Sequence, residues 1–456
     1  MPKSFHEKFI SQIQDLLGEE ESCQLLASLN DDAVVSVRMN KHKLCSLDFF
    51  DNNTDIVKWC KSGRYLEHRP NFTLMPQLHC GCFYVQDASS MIYEEIVSRL
   101  ISDKNAPINY LDMCAAPGGK TTAAINVLPQ KSLVVANEFV AQRANILKEN
   151  LQKWGSPDMI VTNSSAEKLG CLSGLFDIVA VDAPCSGEGM MRKDEEAVRQ
   201  WTPNLVGQCT SLQWDIVFNI WNALKSGGYL IYSTCTFNHF ENELMIERIC
   251  TELDGETIDM NFPNEWGIIS GKQTKQHCYR FMPHKTRGEG LFVSVIRKKG
   301  QQDSLRTKSK NSNFSLKKFQ TDWIKENNEF SYFQISEMIC GLRTTHLLAY
   351  IAVSSVAKVI LSGLEIAIEK RKDLIPQHAL SQSWILNKEA FPAVELDYPT
   401  AIAYLRRENI SLPENTPKGY VVVNYDGNTL GFVKHLGNRS NNLYPQEWRI
   451  RNANLK

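Results

Sequence analysis

Between residues 108 and 296 short apolar runs alternate with amphipathic stretches, and that alternation leaves few folds open to the chain. Ile108–Met113, Leu133–Asn137, Met159–Asn163, Phe176–Asp182 and Tyr229–Thr234 read as strands. Thr121–Leu128, Val140–Trp154 and Val206–Leu224 read as the helices between them, and Gly227-Gly228 as the turn into the fifth strand. Strands rich in Val, Ile and Leu with helical crossovers predict a mostly parallel sheet covered on both faces. Leu291–Ile296 reads as a late strand closing the unit.

The rest of the chain divides around this sheet. With 456 residues, two to four domains are expected. Phe5, Phe9, Ile13 and Leu16 recur at helical spacing, and Val35–Asn40 alternates as a strand, so 1–95 reads as a small α+β domain before a catalytic domain over 96–298. Residues 299–318 form a basic linker with Arg306, Lys308, Lys310, Lys317 and Lys318, solvated or touching phosphate. A separate small domain follows over 319–456; apolar runs flanking Asp426-Gly427 predict a hairpin in it, and its tail interleaves Arg439, Trp448, Arg449 and Arg451 with Tyr444.

Net charge is -1, so any polyanion surface must be local. Thirteen cysteines, an odd number in a long chain, argue for free thiols in a reducing compartment, and the one tight pair, Cys80 and Cys82, lacks a partner pair at zinc-ligand spacing. No metal site is expected. There is no membrane-spanning run and no signal-peptide core at the start, so a cytoplasmic protein is expected.

In an open parallel sheet, ligands bind beyond the carboxyl ends of the strands. After the first strand comes Asp112-Met-Cys-Ala-Ala-Pro-Gly-Gly-Lys-Thr121, whose small residues let a ligand approach the backbone before a helix. A phosphate-binding P-loop would need glycine where Cys114 stands, and the dinucleotide G-x-G-x-x-G is absent, which leaves a nucleoside-binding turn of methyltransferase type. Glu138 closes the second strand, where a carboxylate can accept both ribose hydroxyls; a solvated acid is the bland alternative. The fourth strand ends in Asp182-Ala-Pro-Cys185 and the fifth in Tyr232-Ser-Thr-Cys235, so two thiols converge on one edge. That set suits methylation of cytosine carbon 5, which becomes nucleophilic only after a thiolate adds at carbon 6. Asp182 is placed to hydrogen-bond the N3 and N4 edge of such a base. Lys120, Arg192 and Lys193 read equally as RNA-holding groups and as surface cations.

The stretches Cys-Ala-Ala-Pro-Gly-Gly-Lys (114–120), Asp-Ala-Pro-Cys-Ser-Gly-Glu-Gly (182–189) and Tyr-Ser-Thr-Cys-Thr (232–236) resemble the signature of the Sun/Nop family of RNA cytosine-C5 methyltransferases, over roughly residues 35–298. The resemblance implies a Rossmann-like class I methyltransferase sheet, S-adenosylmethionine as cofactor, Cys235 as nucleophile and Cys185 in product release, with Asp182 and Lys120 completing the catalytic set. It implies cofactor contacts from Cys114, Ala115, Ala116, Pro117, Gly118, Gly119, Lys120, Glu138 and Asp182. Family members usually carry an aspartate near the third strand end; Ser165 stands there, and it or Asn163 takes that place. Gly187–Asp194 and Val37–Asn40 look most like the bacterial RsmF type, which implies ribosomal RNA of the small subunit as partner, a C-terminal PUA-like RNA-binding domain, an RNA-binding N-terminal domain and a monomer. A tRNA substrate, a DNA enzyme attacking from Pro184-Cys185 and a non-catalytic RNA-binding protein stay open as alternatives.

Overall fold

The computed structural model describes residues 3–44, 54–300, 315–319, 321–371 and 373–451. The linker cations Arg306, Lys308 and Lys310 lie outside the described residues. The centre is a sheet whose strands are β1 (Asn109–Asp112), β2 (Leu133–Asn137), β3 (Met159–Thr162), β4 (Phe176–Asp182), β5 (Leu224–Thr234), β6 (Cys278–Phe281), β7 (Leu291–Lys298) and β8 (Val359–Ser362), with short strands at Gly255–Thr257 and Ile269–Ser270. Across it the order is β6-β7-β5-β4-β1-β2-β3-β8, flanked beyond β6 by 269–270. Neighbours from β3 to β5 are parallel, whereas β7 runs antiparallel to β5. The chain reverses its direction of winding between β1 and β4, which opens a crevice at their carboxyl ends.

The residues explain the layers. All five positions of β2 are buried, as expected of a parallel strand covered on both faces. The 141–154 helix ends on Gly155 at φ +94, where an added Cβ would lie 2.2 Å from the Gln382 carbonyl oxygen, so only glycine fits. One expected turn differs. Gly227-Gly228 does not precede β5 but lies inside it, because Gly227 at φ +79 is absorbed where the β4–β5 register shifts near Phe176.

The segment after the linker is not separate in space from the sheet, contrary to the reading that ended the sheet near Ile296. Val359–Ser362 adds to the free edge of β3 as an antiparallel neighbour, and the Leu347–Val356 helix sends Tyr350 and Val353 into the same core as β1 and β4. Pairing hides an edge that would otherwise expose unpaired backbone groups. Arg343, nearly buried, reaches Asp158 at 3.1 Å just before β3. Farther on, Gly419–Tyr425 and Asn428–His435 form the expected hairpin, with φ +48 at Asp426 and +70 at Gly427 matching its tight turn. This hairpin shares a core with the N-terminal sheet: Val37, Cys80, Cys82 and Phe83 pack with Tyr404, Val421, Val433 and Tyr444. Cys80 and Cys82 are thus core residues, and no cluster of metal-ligating side chains occurs among the described residues. Among the same residues no helix is long and apolar enough to cross a membrane.

Leu361 of β8 is 2% exposed in the core beneath the sheet. Leu361→Ala should therefore destabilise the whole protein by about 2–5 kcal/mol, seen as a lowered midpoint of a single denaturant transition. A catalytic-domain transition that ignores the substitution would show the two units to be independent.

Candidate active site

The crevice is built first by the turn after β1. Met113 and Ala115 donate their backbone N–H groups to Ala180 at 2.9 Å and Asn137 at 2.8 Å, which stretches the 113–118 turn across the ends of β4 and β2. Gly118 at φ +111 then starts the Gly119–Ile125 helix; a Cβ on it would lie 3.3 Å from Leu147 Cδ1. The N-terminal unit braces the turn from behind. Arg38, fully buried, donates to the Gly119 carbonyl at 3.2 Å and to Thr122 Oγ1 at 2.5 Å, and to Gln86 Oε1 at 2.8 Å.

Asp112 closes β1 beneath this turn. Thr121 Oγ1 donates to its Oδ2 at 2.6 Å, while Oδ1 is buried and finds no donor among the described residues. Burial pushes the Asp112 carboxyl up to about 7; the Thr121 hydrogen bond opposes that shift and Asp182 adds to it. A buried oxygen without a donor is what a cationic ligand group would satisfy. At the end of β2, Glu138 is buried and accepts from the Val140 N–H at 2.8 Å, with Arg143 3.5 Å away; the next residue, Phe139, is 71% exposed. Asn163 ties the end of β3 to this corner by donating to the Glu138 and Phe139 carbonyls at 2.8 Å. Ser165 precedes the Ala166–Gly170 helix half-buried, without capping it.

The two thiols meet past β4 and β5. Cys185 Sγ and Cys235 Sγ are 3.2 Å apart, both partly buried. The hydrogen bond to Cys235 and burial push the Cys185 thiol well above its ordinary range. Beside them Lys120 Nζ lies 2.7 Å from Asp182 Oδ2. Burial alone would lower Lys120, but the ion pair with Asp182 outweighs it, Cys235 and Asp112 add to the attraction, and the ammonium sits above its ordinary value. Asp182 Oδ1 accepts from Ser233 Oγ at 2.7 Å.

Two wholly buried carboxylates hold the cysteine loops together. Glu188 accepts from the backbone N–H groups of Phe237 at 2.6 Å and Asn238 at 2.8 Å, from Trp201 Nε1 at 2.9 Å and from Gln12 Nε2 at 3.0 Å. Glu241 accepts from the Ser186 N–H at 3.0 Å and from Gln213 and Asn238 at 2.6 Å each; burial raises its carboxyl, and the donors offset part of that rise. A Cβ on Gly189 would lie 2.9 Å from the Cys235 carbonyl oxygen, so the loops can close only over glycine.

Among residues singled out in the sequence, Lys120, Asp182, Cys185 and Cys235 come together, and 114–119 with Glu138 line the adjoining crevice. Arg192 is no free cation: it is largely buried and donates to the Gly288 carbonyl at 3.2 Å. Lys193 lies 3.6 Å from Glu289. Sequence reasoning passed over Glu188, Glu241, Arg38, Tyr93 and Ser233, and left Asp112 as the mere start of its motif. The last was signalled by being the first charge after an apolar run, and Glu188 by following Cys185 within a glycine-rich turn.

The strand order with one antiparallel strand between β5 and β6, the nucleoside-type turn after β1 and the acid after β2 define a class I, S-adenosylmethionine-dependent methyltransferase. Residues 100–297 match the family of 16S rRNA methyltransferases RsmB/F, 5–88 the N-terminal domain of 16S rRNA methyltransferase RsmF, and 391–450 the methyltransferase RsmF PUA domain. The chain belongs to this family, as an RsmF-type member. It is similar to the ribosomal RNA small subunit methyltransferase F of Vibrio vulnificus, 28% identical over 100% of this chain and 98% of that one, and to that of Shewanella loihica, 29% identical over 90% and 88%. Among solved structures it resembles a methyltransferase homolog from Pyrococcus horikoshii, 25% identical with TM-score 0.55 over 65% of this chain and 96% of that one. NSun6 from the same organism, solved with SFG, shares the fold at 18% identity and TM-score 0.56, over 66% and 100%.

Gly118→Val forces a branched side chain into a left-handed backbone against Leu147, and should abolish S-adenosylmethionine binding in calorimetry while far-UV circular dichroism is retained. Unchanged affinity would refute the site. Asp112 yields a second test. An acid raised from about 4 when unfolded to about 7 when folded stabilises fully below the lower value and loses that contribution as pH climbs through the higher. Asp112→Asn should flatten the fall in melting temperature across that window in the cofactor-free protein.

Proposed function

We propose that this enzyme methylates carbon 5 of a cytosine in 16S ribosomal RNA through a covalent bond between Cys235 and carbon 6 of the base. The observation that carries the reading is the pair of sulfurs 3.2 Å apart at the carboxyl ends of β4 and β5, beside the Lys120–Asp182 ion pair. Cys235 lies close enough to the Lys120 ammonium to add to its electrostatic attraction, and within hydrogen-bond reach of the Cys185 sulfur. When bound, S-adenosylmethionine supplies an electrophilic methyl group. The 113–119 turn would hold the cofactor, with Glu138 available to its ribose hydroxyls, the corner at Asn163 and Ser165 to its adenine, and the free Asp112 oxygen to its cationic end.

The residues then divide the work. Attack of Cys235 on carbon 6 moves electron density to carbon 5, N3 and the exocyclic nitrogen, and the Asp182–Lys120 pair faces that edge of the ring as charge develops. After carbon 5 has gained the methyl group its proton passes to a water molecule entering from solvent, the C–H electron pair re-forms the carbon 5–carbon 6 double bond, and the bond from carbon 6 to Cys235 breaks with its pair going to sulfur. The departing sulfur carries the negative charge, and the Cys185 S–H lies where it hydrogen-bonds that sulfur and lowers the barrier to release. The family match to 16S rRNA methyltransferases and the relatives named for the small-subunit ribosomal RNA favour 16S rRNA as the partner.

Cys235→Ala should neither methylate nor form a covalent species with RNA. Cys185→Ala should attack, transfer methyl and stall, accumulating a protein–RNA adduct that survives denaturing electrophoresis and disappears in the double variant. An adduct formed by Cys235→Ala and not by Cys185→Ala would reverse the roles and make Pro184-Cys185 the attacking motif. Bisulfite mapping of total RNA with and without the gene would place the target cytosine.

A further inference from the structure

Asp182 carries a hydrogen-bond chain that leads away from the reacting groups. Its Oδ1 accepts from Ser233 Oγ at 2.7 Å, and Ser233 Oγ lies 2.9 Å from the hydroxyl of Tyr93, which is wholly buried on the Ile92–Leu100 helix. The direction is fixed by counting protons. The carboxylate has none to give, so the single Ser233 proton goes to Asp182, and the Ser233 oxygen must then accept from Tyr93.

We propose that Ser233 and Tyr93 are positioning residues that set the plane of the Asp182 carboxylate toward the cytosine. The proposal rests on the reading of Asp182 as the group that faces the base. Torsion about the last bond of an aspartate is broad, so Lys120 alone, bonded to one oxygen, would leave the carboxylate free to swing. A second donor on the other oxygen, from a different element, removes that freedom. Lys120 Nζ also lies 5.9 Å from the centre of the Tyr93 ring, so one buried side chain backs both members of the ion pair. Ser233 stands two residues before Cys235 on β5, so the same strand end presents the nucleophile and braces the acid. A simple need to satisfy a buried tyrosine would be met by any carbonyl. This chain instead ends on a part-exposed carboxylate at the reacting edge, where a misplacement of about 1 Å can cost on the order of a hundredfold in rate.

The test is single-turnover methyl transfer to 16S rRNA transcribed in vitro, with full-length protein saturated in S-adenosylmethionine. Ser233→Ala should slow the step by about a hundredfold and Tyr93→Phe by about tenfold, with cofactor and RNA dissociation constants changed less than about twofold. The double variant should be no slower than Ser233→Ala, because Tyr93 acts only through Ser233. Multiplying rate losses, unchanged rates, or losses that track cofactor affinity would each overturn the proposal. Should Ser233→Ala fail to fold, Tyr93→Phe, which removes one oxygen, decides alone: a full rate refutes it. Asp182→Asn separates the two levels. If it keeps full rate, the reading of Asp182 itself fails; if it is slow while Ser233→Ala and Tyr93→Phe are not, only the present inference does.

Discussion

The parallel register of β4 and β5, in which Asp182 lies beside Ser233, decides where the rest of the site falls. Adjacent strands lie about 5 Å apart, so the residues leaving their carboxyl ends start close enough to react with one substrate atom. Register alone does not bring sulfur to sulfur, because the loops past strand ends can diverge. Here they are drawn together by Glu188 and Glu241, each without exposure to solvent and each accepting donors from the two loops or the helix beneath them. Burying a carboxylate costs several kcal/mol unless its oxygens are filled, and these are filled. The arrangement is stiff for that reason: losing either acid would orphan backbone N–H groups that have no water to turn to.

Much of this was legible in the chain. The five parallel strands, the turn at 113–119, the acid at 138 and the two cysteines follow from apolar periodicity and from reading each strand end in turn, since strand ends are where an open sheet presents its chemistry. What escaped shares one physical cause. The worth of Glu241, Arg38 and Tyr93 lies mainly in partners tens or hundreds of residues away, and no local pattern marks them as buried and saturated. Arg192 erred in the opposite sense. A cation just past a glycine-rich turn looks free until the Gly288 carbonyl, 96 positions later, accepts a hydrogen bond from it. The strand 359–362 was missed because it is short, follows directly on an apolar helix and has meaning only against the open edge of β3.

That late strand changes how the molecule is to be understood. Asn163 donates its backbone N–H to the Lys358 carbonyl at 2.8 Å, and the Lys358 N–H returns to Ser164 Oγ at 2.8 Å, so the end of β3 is bonded on both sides to the segment that leads into the PUA domain. The same Asn163 uses its side chain to hold the Glu138 corner. One short path of hydrogen bonds therefore joins β8 to the residues assigned to the cofactor. At the other face, Arg38 joins the N-terminal sheet to the turn at Gly119, and the N-terminal sheet shares its core with the terminal hairpin. The catalytic sheet is thus gripped from two sides by units that themselves touch. A rigid displacement of the C-terminal unit would therefore strain either the β3 edge or the Arg38 brace, both of which end at the crevice.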